Sequence, residues 1–339
     1  MKQGAQNQHY VPKFILRNFL GNEKPEQVHV FRKSTGKGFT TSIHNIMAER
    51  RFHELRLDDQ YIASYEDAIG RIEDSLLPAY RSVIERGSLD GSPEEKLSLT
   101  SFMAFQFVRT RAQRDIFEDV QAQVAKRIGK LATEDLGLGR MTDQERTLQH
   151  IRFIEGATPS FIAALMDKDL GLMKAPPGRS FYLSDNPVVL HNDQTSDGFW
   201  GNLGLAVKGI QVYLPLSAEL MLCAWCPSLV GDLRDRNAEN KRRLASIMLG
   251  SFMTNIPGSD NLQNLLSTLR PAQERIETLI KHFDEGTPVS LSAEHMDFHN
   301  GLQVISATQH IVCKHADFAL AKRFMTENPN HKGFHFRVT

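Results

Sequence analysis

Residues 7–19, near the N-terminus, contain side chains whose chemical types and spacing could support catalysis or anion binding. The imidazole of His9 can give or take a proton near pH 7, and the phenol of Tyr10 follows it directly. Lys13 and Arg17 come one helical turn apart and are suited to binding phosphate or another anion. Because metal-independent phosphodiester cleavage uses such groups, the segment is a candidate catalytic or anion-binding site. The alternative is structural, with Tyr10 packed in a core and His9 bonded to a backbone carbonyl.

A second group of polar side chains follows the apolar segment 102–108. Gln106 and Arg109 are three residues apart and would share one face of a helix. A guanidinium that emerges from a buried helix must meet a carboxylate or a ligand anion. An internal ion pair of Arg109 with Glu66 or Glu73 is favoured, and anion binding by Gln106 and Arg109 is the alternative.

The third candidate is the run Ser-Asp-Asn-Pro at 184–187, which lies between two predicted strands. Polar turns at strand ends are common positions for acid–base and ligand-binding groups. Asp185 is the best carboxylate in the chain to orient His9, and Asn186 would contact a ligand. Ordinary turn chemistry explains the same residues equally well, because Asp and Asn stabilise turns and Pro closes them.

Patterns that would indicate a cofactor are weak or missing. The sequence has no Gly-x-Gly-x-x-Gly, no P-loop and no Gly-x-Ser-x-Gly elbow, which argues against dinucleotide oxidoreductases, P-loop NTPases and α/β-hydrolases. His295 and His299 would share a helix face, and Cys223 and Cys226 have zinc-knuckle spacing, but neither pair has an evident set of further ligands. We therefore expect no cofactor and assign no metal ligand, leaving a divalent metal open.

The predicted secondary structure that must position these groups differs between the two halves of the chain. Pro12 predicts a helix start, residues 28–31 and 39–43 predict a hairpin, and Ser92-Pro93 predicts the start of a long helix reaching about residue 130. The first half, to about residue 170, is mostly helical, and the second half, 171–339, contains the remaining strands. We predict a single α+β domain over 1–339, mainly helical and packed on a small mixed or antiparallel sheet.

Composition limits the function classes. Lys plus Arg and Asp plus Glu both number 40, so the net charge is zero and long duplex DNA is not bound through bulk charge. The 3 cysteines cannot form a disulfide framework, which fits a reducing compartment. With no signal-peptide pattern and no run of about 18 apolar residues, we expect a cytoplasmic protein without a membrane partner.

The motif His-Tyr-Val-Pro-x-Phe-x-Leu-Arg-x-Phe at 9–19 resembles the bacterial family of domain of unknown function 4238. Three further blocks are similar in the same order: Tyr65-Glu66 to Glu73, Arg109-Thr110 to Arg114, and Ser184 to Val188. The resemblance covers most of the chain. It supports this choice of residues, and it implies no reaction, since the family has no established activity.

Two functions follow from these groups. The first is a nuclease or another phosphodiester or nucleotide hydrolase, acting on a nucleic acid or nucleotide. The second is a non-catalytic sensor that binds an anion or nucleic acid. Both require the three segments to meet in one pocket. The predicted catalytic residues are His9, Tyr10 and Asp185, and the predicted binding residues are Lys13, Arg17, Gln106, Arg109 and Asn186.

Overall fold

The computed structural model describes residues 7–21, 24–56, 62–116, 119, 123, 141–193, 204–254, 260–331 and 333. The architecture is α+β, as predicted. The helices are Lys13–Leu16, Glu66–Arg86, Pro93–Val108, Asp143–Met166, Pro227–Thr254, Asp260–Glu285, Ala293–Ser306 and Ala319–Glu327, with 3-10 turns at Arg17–Phe19 and Ile43–Asn45. The strands are β1 Asn7–His9, β2 Gln27–Arg32, β3 Lys37–Ser42, β4 Ala48–Arg50, β5 Glu54–Arg56, β6 Ile62–Ser64, β7 Asp169–Lys174, β8 Leu183–Ser184, β9 Val189–His191, β10 Gln211–Pro215, β11 Leu220–Trp225, β12 Pro288–Ser290 and β13 His310–Cys313.

The larger strands form two sheets. One has the order β12-β7-β11-β10-β9 and the other the order β3-β2-β13-β8, while β1-β4 and β5-β6 are separate pairs. Neighbouring strands are antiparallel except for β12 and β7, which are parallel. The predicted hairpin is confirmed, with β2 paired to β3. Strand β13 lies between β2 and β8, so it joins the N-terminal hairpin to the strand before the Ser-Asp-Asn-Pro turn.

The helix that begins at Pro93 is capped as predicted, because the Ser92 side chain accepts a hydrogen bond from the backbone N–H of Glu95. Its predicted extension to about residue 130 is wrong. The helix ends at Val108, and helix resumes at 111–116. Thr110 accounts for the break, since its hydroxyl caps the new turn by accepting from the Gln113 N–H at 3.4 Å. Most of the predicted helix beyond residue 116 lies outside the described residues.

One large apolar core contains residues from both halves of the chain, among them Tyr10, Phe102, Leu183, Tyr213 and Val312. Every residue of β10 is buried, as expected for a strand covered on both faces. The N-terminal segment is fixed to this core, because the backbone N–H of Tyr10 donates to the carbonyl of Met47 at 3.1 Å. Within the described ranges, no helix is both long and apolar enough to cross a membrane.

Candidate functional site

His9 and Tyr10 are adjacent, and their side chains enter different surroundings. The Nε2–H of His9 donates to the carbonyl of Ile43 at 2.9 Å, and burial lowers the pKa of the imidazole although that bond opposes the shift. Tyr10 packs against Phe52, with ring centroids 5.5 Å apart. Burial raises the pKa of its phenol well above 10, and the negative charge of Asp185 adds to that rise. Of the two side chains, Tyr10 is the one whose pKa responds to the charge of Asp185.

Arg109 is an internal cation with only 1% of its surface exposed. Its guanidinium forms an ion pair with Glu73 and donates to the backbone carbonyl of His9 at 2.6 Å. The ring of Phe105 lies 5.0 Å from the guanidinium carbon. One of the two expected carboxylates thus neutralises Arg109, which leaves it no free charge for a ligand.

Gln106 joins the same helix to the N-terminal segment. Its amide Nε2 donates to the carbonyl of Tyr10 at 3.0 Å, and the side chain is fully buried. Together with the bond from Arg109 to His9, this contact ties two successive carbonyls to one helix face. The predicted binding pair Gln106 and Arg109 therefore holds the polypeptide backbone in the structure.

Asp185 organises the loop that precedes β13. Its carboxylate accepts hydrogen bonds from the backbone N–H groups of Thr308, Gln309 and His310 at 2.8, 2.7 and 3.0 Å, and from the Thr308 hydroxyl at 2.8 Å. With 1% of its surface exposed, the side chain is buried against this loop, and its oxygens are engaged by the four hydrogen bonds. Asp185 can still act through its charge on the groups around it.

Replacing Asp185 with Asn should destabilise the fold by about 2 kcal/mol, because the amide N–H₂ faces backbone donors and one acceptor oxygen is lost. Urea unfolding at pH 7 measures the loss. The matched control is Asp317→Asn, an exposed turn residue whose carboxylate accepts one backbone bond, from Ala319 at 3.1 Å. The free energy of unfolding should fall much less in Asp317→Asn than in Asp185→Asn. Equal losses in the two variants would contradict this account of the loop.

Asn186 connects the Ser-Asp-Asn-Pro turn to two helical segments. Its amide oxygen accepts from the Thr110 hydroxyl at 3.0 Å, and its amide N–H donates to the hydroxyl of Ser306 at 2.9 Å. Thr110 directly follows Arg109, which is bonded to His9. The three segments predicted to meet therefore converge, mainly through bonds that stabilise the fold.

Lys13 and Arg17 lie apart from this network. Arg17 pairs with Glu26 at 3.0 Å, and half of its side chain is exposed. The same carboxylate accepts from His44 at 2.8 Å. Lys13 is half-buried, and its charge contributes to lowering the pKa of His9. The charge of Lys13 thus acts on His9, while Arg17 is already paired with Glu26 at the surface.

The structure brings two of the predicted residues, Tyr10 and Asp185, together with three that were not predicted as site residues. We define the His310 cluster as His310, Arg32, Arg111, Asp185 and Tyr10. The imidazole Nε2 of His310 accepts from Arg32 Nε at 3.4 Å, and its Nδ1 is buried without a hydrogen-bond partner in the described part of the chain. Burial lowers the pKa of His310; the charge of Asp185 opposes this, and those of Arg32 and Arg111 add to it. A neutral imidazole therefore lies between two guanidinium groups and a carboxylate.

The two arginines of the His310 cluster differ in their pairing. Arg111 forms ion pairs with Glu49 at 2.9 Å and Asp115 at 3.2 Å. Arg32 is exposed, lies over the ring of Phe39 at 4.9 Å, and has no carboxylate partner among the described residues. Arg32 is consequently the cation of the cluster best able to bind an anion from solvent.

Lys33 is a further cation beside the cluster, and it is occupied by the fold. Its ammonium group donates to the carbonyls of Val304 and Ala307, at 2.9 and 2.6 Å, at the end of the helix Ala293–Ser306. Burial lowers its pKa to about 8, and the charge of Asp185 opposes the shift. Lys33 stabilises a helix C-terminus and is not a free anion-binding group.

The sequence profile of the family described as "Protein of unknown function (DUF4238)" matches residues 7–317. The chain belongs to the DUF4238 family. No curated protein and no solved structure shows significant similarity to it. The matched range begins at β1 and reaches past β13, so it includes every residue of the His310 cluster.

The histidine pair and the cysteine pair with metal-ligand spacing have different surroundings in this DUF4238 protein. His295 is exposed, whereas His299 is buried against Tyr213 with ring centroids 4.7 Å apart, and burial lowers the pKa of His299 to about 4. Cys223 and Cys226 are buried free thiols, and burial raises the pKa of Cys223 to about 12. In the ranges described, no three His, Cys, Asp or Glu side chains are placed to hold a metal ion.

Proposed function

We propose that this DUF4238 protein is a phosphodiester or nucleotide hydrolase whose reacting groups are those of the His310 cluster. One observation carries the proposal: an imidazole kept neutral by burial lies beside Arg32, an exposed guanidinium with no carboxylate partner in the described structure. A neutral imidazole accepts a proton near pH 7, and a guanidinium binds phosphate oxygens. The role predicted for His9 is thereby transferred to His310.

Each member of the cluster has a role that its surroundings allow. Arg32 and Arg111 would bind the phosphate oxygens, with Arg111 partly neutralised by its two carboxylates. The phenol of Tyr10 stays protonated because its pKa is raised, so it can donate a hydrogen bond to the same phosphate. Asp185, held by the loop 308–310, positions His310 and acts on its pKa through charge.

The reaction follows from these roles. When Arg32 donates to the phosphate instead, the His310 Nε2 that accepted its hydrogen bond is released and accepts a proton from a water molecule as the water oxygen bonds to phosphorus. The bond from phosphorus to the leaving oxygen breaks, and His310 returns the proton to that oxygen. Atoms and charge balance without a redox step. The zero net charge of the chain fits a nucleotide or a single strand better than long duplex DNA.

A binding module without turnover is the second candidate. The observation that favours it is that the residues first predicted to react are occupied: His9 is bonded to Ile43, and Asp185 to backbone N–H groups. In this case Arg32 and His310 bind a phosphate-bearing ligand, and no proton transfer occurs.

A panel of labelled single-stranded RNA, single-stranded DNA and nucleotides, with and without Mg²⁺, distinguishes the two functions. For a hydrolase, His310→Gln should lower turnover by at least about 100-fold, the usual size of a lost acid–base group. The matched control His315→Gln changes an exposed histidine five positions later and should keep full turnover. Equal turnover in wild type and His310→Gln would overturn the hydrolase.

The same panel, read by fluorescence polarisation, tests the binding module. If no substrate is turned over, saturable binding that weakens in Arg32→Gln and not in His315→Gln supports a sensor. Without turnover or saturable binding, both functions fail.

A further inference from the structure

An apolar cavity of about 400 Å³ is bordered by Asn186, which directly follows Asp185 in the Ser-Asp-Asn-Pro turn. We call it the aromatic cavity; its defining residues are Phe107, Phe153, Phe161, Gln113, Asn186 and Ser306. Its volume falls in the usual range for small-ligand sites. None of the described residues that line it carries a charge, so a neutral group suits the cavity.

The rings give the cavity flat apolar walls. Phe161 contacts both of the others, with ring centroids 5.6 Å from Phe107 and 6.3 Å from Phe153 and interplanar angles of 54° and 78°. Rings this close pack on one another, so they form one apolar wall against which a planar group can stack. Aliphatic side chains, among them Leu205 and Leu302, complete the walls. The shape and chemistry therefore favour a flat ring system over a flexible chain.

Gln113 supplies the specific polar contact. The residue is only 8% exposed and lines the cavity, yet its side-chain amide has no hydrogen-bond partner in the described structure. Its backbone N–H donates to the hydroxyl of Thr110. Asn186 and Ser306 already bond each other at 2.9 Å. The amide lines the cavity and is not engaged by the fold, so a ligand with a neighbouring donor and acceptor can bond to it.

We infer that the aromatic cavity binds a purine base with the adenine pattern of polar atoms. An amide side chain pairs with the amino group and the adjacent ring nitrogen of adenine, and aromatic side chains stack on its faces. The inference rests on the proposed function in taking the base to belong to a nucleotide. Asn186 borders the cavity and Asp185 belongs to the His310 cluster, so one turn would position both the base and the phosphate.

Adenosine and purine riboside test the inference by isothermal titration calorimetry. The two nucleosides differ in the 6-amino group, which should bind the Gln113 amide oxygen. Wild type should bind adenosine at least about 10-fold more tightly, the effect of one good paired contact. Equal affinities, or no saturable binding of adenosine at millimolar concentration, would overturn the inference, and this comparison needs no variant.

Two variants assign the contact. Gln113→Leu should remove the preference for adenosine, while the matched Gln144→Leu, on an exposed position of the helix Asp143–Met166, should retain it. A preference that persists in a folded Gln113→Leu protein would overturn the role of Gln113. Because adenosine has no phosphate, its binding does not depend on Arg32 or His310. The adenosine test can therefore contradict the adenine site without contradicting the function proposed for the His310 cluster, and the reverse also holds.

Discussion

Acidification from pH 7 to pH 5 is expected to destabilise the protein by about 4 kcal/mol through two histidines alone, at about 2 kcal/mol each. Burial lowers the pKa of His150 to about 3 and that of His299 to about 4. In the unfolded chain both return to about 6.5. Between these values only the unfolded state takes up a proton, so stability falls as the pH drops below about 6.5 and continues to fall towards the folded pKa.

His150 allows the effect to be isolated. Its Nε2–H donates to the carbonyl of Val108 at 2.9 Å, and its ring packs against Phe52. His150→Gln keeps a side-chain N–H donor and removes the group that takes up a proton. About 2 kcal/mol of the loss in unfolding free energy between pH 7 and pH 5 should therefore disappear. Urea unfolding at pH 7 and pH 5 measures this difference, with His315→Gln as the exposed control. The same pH dependence in His150→Gln and wild type would contradict the assignment.

The local elements of this fold follow from short-range rules. Ser92-Pro93 begins a helix because the hydroxyl caps the first turn and the ring tolerates the first position. Arg109 was expected to meet a carboxylate because a buried guanidinium requires one, and it meets Glu73. In both cases the type of residue determines which contact it must make, so the helix start and the ion pair can be predicted from the sequence.

The candidate site depends on pairings that no local pattern indicates. His310 and Arg32 are opposite each other because β13 pairs with β2 across almost the whole chain. Only this register places a histidine at the end of one strand against an arginine at the end of another. The different surroundings of His9 and Tyr10 had only a partial signal, since side chains alternate along a strand but β1 ends at His9, one residue before Tyr10. A pattern of three residues was too short to indicate a strand.

Glu73→Leu is expected to destabilise the protein by about 3–5 kcal/mol, the usual effect of leaving a buried charge without its partner. Arg109 is almost fully buried, so water cannot replace the lost carboxylate. Adding Arg109→Met to this variant should restore part of the stability, because the unpaired charge is then removed. The recovery should be incomplete, since the carbonyl of His9 also loses its donor at 2.6 Å.

Urea unfolding of wild type, both single variants and the double variant forms a thermodynamic cycle that measures the coupling. Glu26→Leu is the matched control, because it breaks the Arg17 pair at the surface, where both side chains are about half exposed and water screens the charges. Its effect should be far smaller. A double variant no more stable than Glu73→Leu would mean that Arg109 holds the N-terminal segment mainly through its bond to His9, and that its charge is neutralised by groups other than Glu73.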